Sequence, residues 1–175
     1  MVLRADAQRN LERVLDAATE AFAASGPDVS VHEIAERAGV GHATVFRRFP
    51  TKDDLMLAVI ERRVGEIREI FEEELAADDP EAFFRAMTRV GALHMSAPGL
   101  HECVQHCGDK PGAAGLEPLG EKLIVRAQKS GAIRRDVEPA QVSALVKSVM
   151  KSSPENLGIV LDGLRAAPAK PTPLG

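Results

Sequence analysis

The residues best suited to chemistry in this chain fall in two short runs. The first is His42-Ala43-Thr44-Val45-Phe46-Arg47-Arg48, with Lys52 just beyond Pro50. Guanidinium forks fit phosphate oxygens and the guanine edge, a hydroxyl fits either, and an apolar ring fits a thymine methyl. This run is basic enough for an anionic partner, and a solvated basic surface is the plain alternative. The second run is His101-Glu102-Cys103-Val104-Gln105-His106-Cys107. Two thiols one helical turn apart, with an imidazole beside them, allow either a metal site through Cys103, His106 and Cys107 or an oxidant-sensing thiol. Against that reading, one short segment supplies every ligand, and a cytosolic pair of cysteines is usually reduced and buried as small apolar groups. An enzyme on a helical scaffold is weaker still: there is no phosphate loop, no Ser nucleophile elbow and no recognisable carboxylate pair. No cofactor is expected.

The first run needs a frame, and the residues from Ser30 to Lys52 supply one. Ser30 followed by Glu33 predicts a capping box, with Val29 and Ile34 placed as a hydrophobic staple. Ile34, Ala35 and Ala38 give that helix an apolar face, and Gly39 sits where the chain must turn through positive φ. A second helix is predicted from Gly41 or His42 to Phe49, stopped by Pro50. Val40, Val45 and Phe49 face inward, which leaves His42, Ala43, Thr44, Phe46, Arg47 and Arg48 on or beside the outer face. Two short helices across a Gly turn make a helix-turn-helix, whose second helix enters the major groove. The same pattern also fits an ordinary helical hairpin with a solvated basic face.

The run GVGHATVFRRFPTKDDL, preceded by SVHEIAERA, resembles the DNA-binding segment of the TetR family of transcriptional regulators, most strongly over residues 9–60. The resemblance implies a DNA-binding set of Ser30, His42, Ala43, Thr44, Phe46, Arg47, Arg48 and Lys52. Thr44 matches a hydroxyl residue that meets phosphate or a base edge. Arg47 and Arg48 match positions facing groove and backbone, and Lys52 matches a Lys that meets the backbone. Phe46 stands where Tyr is usual, so a phosphate contact through the hydroxyl is lost. Gly41 and His42 replace a frequent Ser-Lys pair, which removes a capping hydroxyl and makes a contact from His42 pH-sensitive. For Arg48 the rival role is an ion pair with Asp53 or Asp54, and for Lys52 a solvated charge.

The resemblance further implies a repressor released from a palindromic operator by a small-molecule effector. It implies a homodimer through the last two helices, here Val142 to Val149 and Leu157 to Leu164. Phe84, Met87, His94 and Leu123 are the candidate effector contacts, with plain core packing as the competing role of each.

Bulk properties fit this frame. A chain of 175 residues suits one domain, or a small domain joined to a larger one. Hydrophobic content of 45% with 27% charged residues is that of an ordinary globular protein, and no apolar run approaches a bilayer span. The N-terminus is charged from Arg4 onward, so a cytoplasmic protein is expected. A net charge of −4 counts mildly against DNA binding, but attraction to phosphate is local because charges beyond about 8–10 Å are screened.

Periodicity predicts an all-α chain. Residues 1–8 read as a frayed arm, followed by a helix from Arg9 to Ser25. A long helix runs from Thr51 to Leu75, opened by a capping pair of Thr51 and Asp54. Helices follow from Glu81 to Met95, His101 to Cys107 and Leu116 to Ser130, with a loop over Gly108 to Gly115, and then come the last two stripes. The expected division is a DNA-binding domain over residues 1–54, an effector-binding and dimerisation domain over 55–167, and a mobile tail over 168–175.

Overall fold

A computed structural model describes residues 2–108 and 115–166, with side chains from Asp6 onward. Most of the predicted loop after Gly108 and the predicted tail lie outside the described residues. Among the described residues the chain is all helical apart from short turns and a single antiparallel bridge between Ile133 and Arg165. No helix among the described residues is long and apolar enough to cross a membrane.

Helix α1 runs Val2–Ser25, so the predicted arm is helical from its second residue. Nothing between Val2 and Arg9 breaks a helix, and Arg4, Ala5, Ala7 and Gln8 all favour one. The following helices are α2 (Val31–Ala38), α3 (His42–Arg48), α4 (Lys52–Ala76) and α5 (Ala82–Met95). Then come α6 (Pro98–Cys107), α7 (Glu117–Ser130), α8 (Pro139–Ser152) and α9 (Leu157–Leu164). Helix α6 starts three residues before the predicted His101, because Pro98 fits the first turn, where its missing N–H is no loss.

The helices form two compact units, Met1–Glu66 with Ser96–Ala114, and Ile67–Met95 with Gly115–Gly175. The first unit is built on Val14, Ala18, Phe22, Ile34, Val45, Leu55 and Met56, all buried. Helix α6 belongs to this unit, although the sequence on both sides of it belongs to the other. It lies against α1 and the 3-10 turn Gly26–Asp28. Gly99 permits this closeness: a Cβ there would stand 2.7 Å from the Gly26 nitrogen and 2.9 Å from the Ala23 carbonyl oxygen.

The second unit buries Phe71, Phe83, Phe84, Leu123, Ile133, Val142, Leu157 and Leu161. The stripes predicted on α8 and α9 largely fill this core, and the large apolar side chains exposed there are Leu145 and Ile159. Glu74 is buried on α4 and accepts ion pairs from Arg85 at 2.8 Å and Arg89 at 3.1 Å, which tie α4 to α5. After α9 the backbone returns beside Ile133, with Arg134 N–H donating to the Leu164 carbonyl and Ala166 N–H to Ala132.

Candidate nucleic-acid interface

Helix α2 starts where Ser30 caps it, its Oγ accepting the Glu33 N–H at 3.1 Å. The Ser30 hydroxyl proton remains available to donate. The Glu33 carboxylate accepts from Arg37 at 2.6 Å, so an i,i+4 ion pair replaces the reciprocal half of the predicted capping box. The helix stops at Gly39, which has φ +60°. Gly39 N–H donates to the Glu36 carbonyl and Val40 N–H to the Ala35 carbonyl, which satisfies two carbonyls of the last turn. The Arg13 guanidinium lies over this turn, 2.5 Å from where a Cβ on Gly39 would be.

Helix α3 is held from inside by Val45, and Phe49 closes it with its N–H on the Val45 carbonyl at 2.8 Å. No side chain caps its start, as the sequence anticipates from Gly41. His42, Ala43, Phe46, Arg47 and Arg48 are exposed, while Thr44 is half-buried. Arg47 donates to the Thr44 hydroxyl at 2.9 Å. The Arg48 guanidinium carbon lies 6.0 Å from the centre of the Phe49 ring. Neither Arg47 nor Arg48 forms an ion pair among the described residues. The carboxylates suggested as rival partners of Arg48 face elsewhere: Asp53 lies 3.5 Å from His106, and Asp54 accepts the Thr51 N–H at 2.9 Å. Asp54 N–H in turn donates to the Thr51 hydroxyl at 3.1 Å, so this second capping pair is reciprocal.

Lys52 is neither free nor simply solvated. Its ammonium donates to the Pro27 carbonyl at 2.6 Å, which steers it along the 3-10 turn and leaves two donors unused.

The Cys/His run does not converge on a common point. Cys103 and Cys107 are thiols buried in the first unit, and the Cys107 Sγ donates to the Met56 Sδ at 3.5 Å. His106 instead faces outward to Asp53. Burial first, then the neighbouring Cys107 and Glu102, push the Cys103 thiol up to about 11. A thiol held protonated in this way lacks the reactivity of an oxidant sensor. Among the described residues, no three His, Cys, Asp or Glu side chains gather in a geometry that holds a metal ion.

In the second unit, Phe84, Met87 and Leu123 are buried core and His94 is half-buried. One face of the Phe84 ring is covered by the Arg165 guanidinium, 4.0 Å from the ring centre. Surface concavities of about 530 and 460 Å³ run along α7 past Val125 and Lys129, and neither is lined by these four residues.

Two residues beside the candidate interface escaped the sequence reading, Arg13 over the Gly39 turn and His32 on α2. His32 was detectable, because Val31, Ile34, Ala35 and Ala38 occupy the inner face and leave position 32 outside.

Helices α2 and α3, with the basic end of α3 turned outward, define a helix-turn-helix protein. The sequence agrees with this geometry. Residues 14–59 match the family described as bacterial regulatory proteins, tetR family, and residues 81–166 match the SbtR-like transcriptional regulator C-terminal domain. The fold is similar to the crystal structure of a TetR transcription regulatory protein from Mycobacterium vanbaalenii. That protein is 40% identical, with a TM-score of 0.70 over 93% of this chain and 99% of the other. The chain belongs to the TetR family of bacterial regulatory proteins. An HTH-type transcriptional repressor of Mycobacterium tuberculosis is 40% identical over 81 residues, a segment spanning 46% of this chain and 42% of the repressor. The FadR regulator of Bacillus subtilis, solved in complex with stearoyl-CoA, shares the fold at 17% identity. Its TM-score is 0.67 over 87% of this chain and 96% of that one.

Proposed function

We propose that this protein is a sequence-specific DNA-binding transcriptional regulator, a repressor released from a palindromic operator by a small-molecule effector. The observation that carries the reading is the outward face of α3, where Arg47 and Arg48 stand exposed with no carboxylate partner among the described residues. In this reading residues 1–54 read the DNA. Arg47 forks onto a base edge with Thr44 orienting it, Arg48 and the Ser30 hydroxyl meet phosphate, and Ala43 and Phe46 meet apolar base surface. Lys52 uses its two remaining donors on the backbone. A repressor role is supported by the name of the Mycobacterium tuberculosis relative.

Within residues 55–167, the second unit binds the effector and forms the homodimer, while residues 55–66 and α6 complete the reading head. Leu145 and Ile159, exposed on α8 and α9, support an interface there. Pairing two heads sets half-sites about 34–36 Å apart or at multiples of that distance. Phe84, Met87, His94 and Leu123 are the proposed effector contacts. Because three of them are packed as core, the effector acts by preferring a conformation in which that core has opened. A protein of the same fold that holds stearoyl-CoA supports a ligand for this unit. The work is done in the cytoplasm, where the chromosome lies.

Selection of bound duplexes from a random pool tests the reading. A palindrome with evenly spaced half-sites is the expected product; a pool that does not enrich after repeated rounds refutes it.

A further inference from the structure

Three rings run in line across the junction of α2 and α3. His32 meets His42 nearly edge-on, with ring centres 5.6 Å apart and planes at 68°. His42 leans on Phe46, with centres 4.6 Å apart and planes at 57°. Glu36, one turn along α2, holds an oxygen 3.3 Å from His32 Nε2. The side chains of His32 and Glu36 are each 69% exposed, so the arrangement is open to solvent. Two of its rings, His42 and Phe46, belong to the proposed DNA-reading set.

The charge balance of this cluster depends on protons. With both imidazoles neutral, the Glu36 carboxylate leaves the group negative and repels a phosphate. One proton neutralises it, and a second makes it positive. The other charged groups nearby on these helices are Glu33 and Arg37, paired with each other, together with Arg47, held by Thr44, and Arg48.

We propose that His32 and His42 form a proton-regulated phosphate contact, so that binding DNA draws protons onto the two rings. This rests on the DNA-facing assignment of α3 and extends it to a residue of α2. The phosphate field favours the imidazolium of both rings. Because the DNA-bound state holds more protons than the free state, the association constant rises as pH falls through the imidazole range.

Fluorescence anisotropy with a labelled duplex recovered by the selection above tests the proposal at fixed ionic strength. Affinity is expected to rise about tenfold between about pH 8 and about pH 5.5. The slope of log affinity against log salt steepens by about 0.9 for each further phosphate neutralised at the acid end. His32→Gln and His42→Gln each remove part of the pH dependence, and the double variant is flat. Glu36→Gln raises affinity at about pH 8, an increase that a merely structural role for the three rings would not give. A pH-independent wild type, or a double variant that keeps the wild-type profile, overturns the proposal. Failure to recover a duplex, or an Arg47→Ala variant that binds like wild type, overturns instead the reading beneath it.

Discussion

The Arg47 guanidinium donates to the Thr44 hydroxyl at 2.9 Å across one turn of α3. A long, flexible side chain is thereby partly fixed before it meets DNA, which lowers the ordering cost of reading a base. Removing the fork should cost about 1–3 kcal/mol of discrimination at one base pair. Thr44→Val should blunt that discrimination while leaving the charge in place. Competition binding against single-position operator variants measures both, and equal loss on every sequence would place Arg47 on the backbone instead.

Lys52→Ala should behave differently. Its ammonium already donates to Pro27, so the variant loses a fixed point charge rather than a fork. Binding should weaken alike on all duplexes, with the salt slope reduced by about 0.9. An unchanged slope would show that Lys52 serves only the 3-10 turn.

Gly39 and Gly99 should respond unequally to alanine. At Gly39 the strain is local: φ is +60° and the nearest atom is the movable tip of Arg13, so about 1–2 kcal/mol is expected. At Gly99 the obstructing atoms are backbone, the Gly26 nitrogen and the Phe22 and Ala23 carbonyl oxygens, which cannot swing aside. Gly99→Ala should therefore lower the melting temperature more than Gly39→Ala does, at or above the about 1–3 kcal/mol usual for overpacking. Thermal denaturation of the two variants decides the order.

Acid should erode stability through identifiable carboxylates. The Glu81 backbone N–H, then the Arg85 guanidinium, hold the Asp79 carboxyl below its ordinary range. Arg134 does the same for Asp136, and Lys147 for Glu117. A folded pKa below the unfolded one gives stability that is present above the unfolded value, about 3.9 for Asp and 4.3 for Glu. That stability is lost as pH falls through the folded value. Asp136 and Glu117 are exposed and Asp79 is only half-buried, so each contribution is small. Melting temperatures measured from about pH 6 down to about pH 3 should fall less steeply for Asp79→Asn than for wild type.

Much of the helix-turn-helix was legible because its signals are local. Ser30, Gly39, Pro50 and the Thr51–Asp54 pair act within a turn of themselves, and each sits where its neighbours predict. What the sequence hid depends on partners distant along the chain. Nothing near Glu74 in sequence marks it as buried, yet it is paired inside by arginines eleven and fifteen residues later. The stripes on α8 and α9 announce burial without saying against what, and most of each faces its own unit's core. His106 sits beside two cysteines in sequence, but helical geometry turns it away from their buried side toward Asp53.

Cys103 supplies the remaining prediction. With its thiol pushed up to about 11 and its side chain buried, almost none is thiolate near neutral pH. Iodoacetamide at about pH 8 should label it far more slowly in the native protein than in the denatured chain, as read by mass spectrometry. Native labelling at the denatured rate would mean that α6 lifts readily from α1.

Helix α6 makes the reading head a discontinuous object. Ala97, Leu100, Cys103 and Cys107 plug its core from a point well downstream of Glu66, so a fragment cut after that residue would expose the hollow they fill. During synthesis on the ribosome, the head stays unfinished until that later stretch has emerged. A chain stalled before α6 should be sticky, easily proteolysed and unable to hold its operator.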